Sequence, residues 1–254
     1  MYVDFAGLVM DQLANQAAKI RYMFGGQIGV PLVLRTQGGA GRSAAAQHSQ
    51  SLESWFVHVP GLRVVMPATV NDAYHLLRQS LARPDPVVFV EHKGLYRTKG
   101  ILDKQQPDGG WGQPVCRRPG DDVAIISYSK MLNLALEAAK VLSGRGIEAA
   151  VWDLRCLNPM DLSEIVDSVC CSGRAAVVTE SCTTGGFAAE VASQITERCF
   201  DHLEEPVIRI GGEDVPMPAA PELESAAIPS VGLIADSVAW LVKREEPGWA
   251  TQTP

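Results

Sequence analysis

The sequence predicts an α/β protein with two mainly parallel-sheet blocks, and three observations carry that expectation. Short runs rich in valine and isoleucine alternate with longer segments of helical periodicity, the pattern of βαβ units. A stretch dense in glycine and proline, residues 93–120, separates two such series. Of 254 residues, 46% are hydrophobic and 20% charged, which suits sizeable cores and excludes a disordered chain.

The elements follow in order. Leu13, Ala17, Ile20 and Phe24 recur at helical spacing, and Gly25-Gly26 supplies the left-handed stop. Pro31 to Arg35 reads as a buried strand, followed by a glycine-rich loop from Gly38 to Ala46. Residues 49–57 look helical, and Arg63 to Met66 is a short strand. Thr69-x-x-Asp72 opens a helix with Ala73, Leu76, Leu77 and Leu81 on one face. Pro86 to Glu91 is the last strand of the first block. After the breaker-rich connection come a strand at Val123–Ser127, a helix lined by Leu132, Leu136 and Ala139, and a strand from Glu148 to Leu154. A helix starting at Asp161, a strand at Ala175–Thr179, a helix from Gly186 to Phe200, a strand at Val207–Ile210 and a helix at Val231–Val242 complete the series.

Several function classes are excluded. The net charge is −7 without a basic run, which argues against nucleic-acid binding. No apolar run approaches the ~18–20 residues of a membrane span, so no membrane partner is expected. Asp4 and Asp11 stand where a secretory leader would be basic and apolar. The six cysteines show no CxxC and read as reduced thiols in a cytoplasmic protein. A P-loop, a strand-GxGxxG-helix fingerprint and a GxSxG elbow are all missing.

Two features invite chemistry. Gly38-Gly39-Ala40-Gly41 follows a strand and is either a backbone anion cradle or a tight, mobile loop. His48 lies between that loop and the next helix, where α/β folds place ligand-binding groups, and imidazole suits proton transfer at neutral pH. A surface or helix-capping histidine fits the same position. His58, His75 and His202 fall within expected helices and look structural or solvated.

The residues also match a family. Met1 to Phe5, Asp11 to Lys19, Arg21 to Gly26 and Val30 to Arg35 resemble the β subunit of thiamine-diphosphate-dependent 2-oxo acid dehydrogenases. So do Ala46 to Glu53, His58 to Val65, Asp85 to Glu91, Leu95-Tyr96, Ile147 to Asp153, Arg155-x-Leu-x-Pro159, Thr184 to Glu190 and Pro216-x-Pro218. The Glu91-His-Lys93 form looks most like the acetoin dehydrogenase branch.

The resemblance implies an α/β chain with a transketolase-like pyrimidine-binding domain over 1–105, incomplete at its N-terminus, and a transketolase C-terminal domain over 106–254. It implies thiamine diphosphate shared with an α subunit that supplies the Mg²⁺ site, an α₂β₂ assembly, and a lipoyl acyltransferase core as further partner. It places the ring that packs on the aminopyrimidine at Phe5 and the active-site histidine of lipoyl acylation at His48. A K⁺ site falls at Leu32, Ser80, Leu81 and Asp85, with Arg83 replacing a common aspartate. The family's cofactor-activating glutamate lies before the segment that starts at Met1, and the first glutamate here is Glu53. The isolated chain is therefore expected to be inactive. Asp4 is not expected to substitute, because strand alternation would turn it away from Phe5. A non-catalytic assembly module is the alternative. A single-chain relative such as deoxyxylulose-phosphate synthase is disfavoured, because it needs the diphosphate-binding half in the same chain.

Overall fold

The computed structural model describes residues 1–243. The chain opens with a 3-10 segment at Val3–Val9 and a π-helical segment at Asp11–Ala17, and continues as α1 (Ala18–Met23). β1 (Val33–Gly38), α2 (Glu53–Val57), β2 (Arg63–Val65), α3 (Val70–Leu81) and β3 (Val87–His92) complete the first block. The second block holds β4 (Val115–Arg118), β5 (Val123–Ser127), α4 (Ser129–Ser143), β6 (Ala149–Asp153) and β7 (Cys156–Asn158). α5 (Ser163–Ser172), β8 (Ala175–Cys182), α6 (Phe187–Cys199), β9 (Ile208–Gly212), α7 (Pro221–Ala226) and α8 (Val231–Lys243) finish it.

Two sheets result. The first has the order β1-β3-β2-β7 and the second β4-β6-β5-β8-β9. Neighbours run parallel except at the two edges, where β7 lies antiparallel to β2 and β4 antiparallel to β6. β5 and β6 are buried at every position, as continuous apolar runs covered on both faces should be. α3 begins where the capping pattern places it: the Thr69 hydroxyl accepts from the Asp72 amide at 3.0 Å.

Several expectations are corrected. Residues 2–5 form no strand, so Asp4 and Phe5 sit on a helical turn, with a bridge from Tyr2 to Gln37 of β1. Residues 49–52 are not helical; a 3-10 turn at Ala46–His48 precedes α2. Leu13 and Ala17 are buried as their spacing implies, but Phe24 is exposed, because the wider π-helical turns rotate the apolar stripe. Residues 221–243 are long and apolar enough for a membrane span by length and composition alone (mean hydropathy 1.5). They form two helices, and Ile234, Ala235, Val238 and Leu241 of α8 pack into the core of the second sheet.

The two expected blocks are not independent. β7 comes from the second series yet completes the first sheet. One hydrophobic cluster runs from Phe56, Val64 and Val88 through Ile126 and Trp152 to Ile165 and Phe187. The breaker-rich connection is fastened rather than loose: Asn71 donates to the Gln106 carbonyl and the Asp108 carboxylate, and His75 Nε2 meets the Asp103 carbonyl at 2.6 Å.

A charge cluster locks this arrangement. Arg155 and Asp72 are both fully enclosed, and Nε donates to Asp72 Oδ1 at 2.7 Å. The Arg155 guanidinium also donates to the carbonyls of Gly109, Gly110 and Gln113. Arg117 bridges Asp72, Asp108 and Asp153. Burial pushes the Asp153 carboxyl up to about 7; Arg117 pulls it down and neighbouring Asp72 adds to the rise. Removing one partner therefore leaves others buried and uncompensated.

Arg155→Met should destabilise the protein by about 3–5 kcal/mol in equilibrium denaturation, while Arg155→Met with Asp72→Leu recovers part of the loss. A single-variant loss below about 1 kcal/mol would show that the pair acts like a solvent-screened one.

Candidate active site at the domain junction

His48 ends the 3-10 turn at Ala46–His48, half-buried between two rings of the N-terminal segment. Its centroid lies 4.8 Å from Tyr2 at 87° and 5.4 Å from Phe5 at 65°, both edge-to-face. The two site residues expected 43 positions apart are thus in contact. Asp4, dismissed on strand geometry, faces the same loop: Oδ1 accepts from the Gln50 amide at 3.1 Å and from Gln50 Nε2 at 3.0 Å. Its other oxygen, Oδ2, is buried without a partner. Asp11 instead points outward and bonds Asn15 at 2.7 Å.

The glycine-rich loop resolves as a cradle filled from within. Ala40 donates to Glu180 Oε1 at 2.6 Å, Gly41 and Arg42 donate to Glu224 Oε1 at 2.9 and 3.2 Å, and Ser43 donates to Glu224 Oε2 at 2.8 Å. Both carboxylates come from the second block. Glycine is required at position 39, where φ is +90° and a Cβ would meet His92 Nε2 at 2.1 Å. The mobile-loop alternative is thereby replaced: the loop is clamped.

His92 and Lys93, quoted only as part of a motif, have separate tasks. The Gly94 amide donates to His92 Nδ1 at 3.0 Å, which puts the Nε2 proton toward Glu180 Oε2 at 2.9 Å. Burial raises the Glu180 carboxyl, but the His92 ring, the Ala40 amide and Lys130 outweigh it and hold it below the ordinary range. Lys93 Nζ stands 4.1 Å over the Tyr2 ring and donates to the Tyr2 hydroxyl at 2.8 Å. Deeper in the junction, the Tyr128 hydroxyl donates to Glu53 Oε1 at 2.6 Å, and Glu53 Oε2 is buried without a partner. Sequence reasoning missed Tyr2, Lys93, Glu53, Glu180 and Glu224. Their chemistry depends on partners from distant segments, and no local spacing marks it.

An open cleft of about 650 Å³ runs beside the loop, lined by Gln47, Ser49 and Gln50 on one side and by Cys182, Asp214 and Met217 on the other. Among the described residues no group of His, Cys, Asp or Glu side chains is arranged to hold a metal ion.

The expected cation corner is differently furnished. Asp85 is held by Arg21 at 2.9 Å and Arg63 at 3.4 Å. The Leu32 carbonyl accepts from the Val87 amide at 2.8 Å and the Ser80 carbonyl from the Arg83 amide at 3.2 Å, while the Leu81 side chain is exposed. Arg83 itself turns onto the Trp111 ring at 4.6 Å. Two guanidiniums already compensate the one carboxylate, so this corner fits a cation poorly.

Family models match both halves of the chain. A family model for the transketolase pyrimidine-binding domain matches residues 1–99, and one for the transketolase C-terminal domain matches residues 112–234. The β subunit of acetoin:2,6-dichlorophenolindophenol oxidoreductase from Cupriavidus necator is 42% identical over 92% of this chain and 70% of its own. The mitochondrial pyruvate dehydrogenase E1 component subunit beta-2 of Oryza sativa is 41% identical over 91% of this chain, and the Rhizobium meliloti E1 subunit beta 39% identical over 94%. This chain spans 62% and 52% of those two proteins. Among solved structures, the inactive beta4 tetramer of a split-gene transketolase superposes with a TM-score of 0.75 at 22% identity, covering 95% of this chain and 74% of that one.

Glu53 offers a pH test of the junction. Burial pushes its carboxyl up, against the pull of the Tyr128 hydroxyl. A raised folded-state value means that the folded protein holds the proton longer, so this group's contribution to stability falls as pH rises above about 4. Glu53→Gln keeps the acceptor for Tyr128 and removes the titration. Its stability relative to the parent should grow between about pH 5 and pH 8 in urea denaturation; a constant difference would show that Glu53 is ionised throughout.

Proposed function

The chain belongs to the family of pyruvate dehydrogenase E1 and acetoin oxidoreductase β subunits, built from transketolase pyrimidine-binding and C-terminal domains, and on that footing we propose its role. It forms the pyrimidine-side half of a thiamine-diphosphate enzyme that cleaves a 2-oxo acid such as pyruvate, or acetoin, and transfers the acyl unit to a lipoyl group. The observation that carries this reading is the contact of His48 with Phe5, on the loop whose neighbouring residues Gln47 and Ser49 line a cleft between the two domains. When bound, the cofactor supplies the electron-sink chemistry for breaking the bond beside a carbonyl.

The chain's own residues bind and orient. Phe5 presents a ring face to the aminopyrimidine, and Tyr2, capped by Lys93, supports His48 from the other side. His48 holds or delivers a proton at the lipoyl sulfur or the substrate oxygen through a ring nitrogen. The Mg²⁺-diphosphate end is assigned to an α subunit in an α₂β₂ assembly. The relatives are named as β subunits, and the N-terminal helices expose Leu8, Val9, Tyr22, Met23 and Phe24, an apolar surface suited to a subunit contact. A lipoyl acyltransferase core is the matching acceptor partner. No step is routed through a cation at Leu32, Ser80, Leu81 and Asp85.

In an assembled α–β enzyme whose β subunit also carries the segment with the cofactor-activating glutamate, His48→Ala should lower reductive acylation of a lipoyl domain by about 10²–10⁴-fold, with dye-coupled oxidation of the 2-oxo acid or acetoin much less affected. Equal acylation rates in parent and variant would assign His48 to ring packing alone and favour the assembly-module alternative.

A further inference from the structure

The clamp on the glycine-rich loop has a consequence for catalysis. Glu224 lies on the short α7, nearly fully buried at 3% exposure, and points out of its own domain. Its two oxygens take the amides of Gly41, Arg42 and Ser43, and Glu180 takes Ala40, so a run of backbone donors converges on two carboxylates of the C-terminal domain. Consecutive N–H groups turned to one side form a nest for an anion, and here a side chain is that anion.

Beyond the nest the backbone is strained. Ser43 and Ala45 hold φ of 54° and 63° without being glycine. Such conformations persist only where surrounding contacts hold them. The Ala45 carbonyl then accepts the His48 amide at 3.3 Å, which starts the turn that sets the imidazole between Tyr2 and Phe5.

We infer that Glu224 is a positioning residue for His48: its carboxylate, reaching across the domain boundary, fixes the backbone of 41–43 and through the strained Ser43–Ala45 segment sets the imidazole. The inference rests on the catalytic reading of His48 given above. Glu224 touches neither substrate nor cofactor; it acts through the loop. Small displacements of a reacting group lower rates steeply, so loosening the nest slows the step that uses His48 while leaving the acceptor's docking surface intact.

The test uses the assembled α–β enzyme, its β subunit carrying the segment with the cofactor-activating glutamate, with Glu224→Ala, Glu224→Gln and His48→Ala. Gln is isosteric and keeps one acceptor oxygen, so it carries the test where Ala does not fold. Hydrogen exchange at residues 41–43 should speed about tenfold or more in Glu224→Ala and less in Glu224→Gln, with amides of β5 unchanged. Lipoyl acylation should show kcat reduced about tenfold in the alanine variant, partly restored by glutamine, with KM for the lipoyl domain unchanged. Unaltered exchange at 41–43, or unaltered kcat alongside an impaired His48→Ala enzyme, would overturn the positioning role. Freed amides together with an unimpaired His48→Ala enzyme would instead overturn the catalytic reading of His48 and leave the clamp itself standing.

Discussion

The buried guanidinium of Arg155 is the constraint on which the rest of the structure depends. A charge with no access to water is tolerable only where oppositely charged and carbonyl oxygens surround it. Those oxygens come from two places, Asp72 on α3 and the Gly109–Gln113 connection, while Asp153 at the end of β6 accepts the Arg155 backbone amide. To reach them all, Arg155 takes a positive φ of 58°. Its carbonyl then receives the Met66 amide at 2.8 Å, and the residues that follow run as β7 beside β2. The domain boundary is therefore sewn by one residue, and the first sheet gains its last strand as a result.

The opposite end of the junction uses the reverse polarity. Around Arg155 the C-terminal block contributes cations to Asp72 of the first block. Around the glycine-rich loop it contributes carboxylates, Glu180 and Glu224, to amides and to the His92 ring. Backbone N–H groups need acceptors as urgently as buried charges need partners, so both ends penalise any rotation between the domains. The cleft beside His48 has one wall from each domain, and its shape is consequently a property of that fixed orientation.

Much of this was legible in the sequence, and the failures have physical reasons. The alternation of β5 and α4, the Thr69 cap and the left-handed stop at Gly25-Gly26 are local signals, and they appear where spacing places them. β4 and β7 were not legible. Each is a short edge strand, and β4 carries Arg117 and Arg118 where an apolar alternation would be needed. Asp72 was read as a capping residue, which it is. Its bond to Arg155, 83 residues away, leaves no trace in a local window. The N-terminal error is of another kind: a few residues with aromatic alternation read as a strand, but they pack as a helical turn. Phe5 and His48 came from family resemblance; composition alone left His48 open.

The glycine-rich loop shows why pattern reading stops where it does. Its glycines announce a backbone that comes close to something, and both a mobile loop and an anion cradle satisfy that requirement. The choice turns on which groups fill the space, and these arrive from positions 92, 180 and 224. A carboxylate in the nest supplies the charge that a phosphate would, yet it cannot diffuse away, so the loop stays ordered without a ligand. That permanence matters for the proton transfer proposed for His48, because a ring that must first be ordered loses effective concentration at the moment of reaction. Rigidity next to the site is thus supplied by the C-terminal domain, which itself carries no proposed catalytic side chain. Its part in the chemistry is to hold the neighbouring domain's loop in the one backbone path that aims His48.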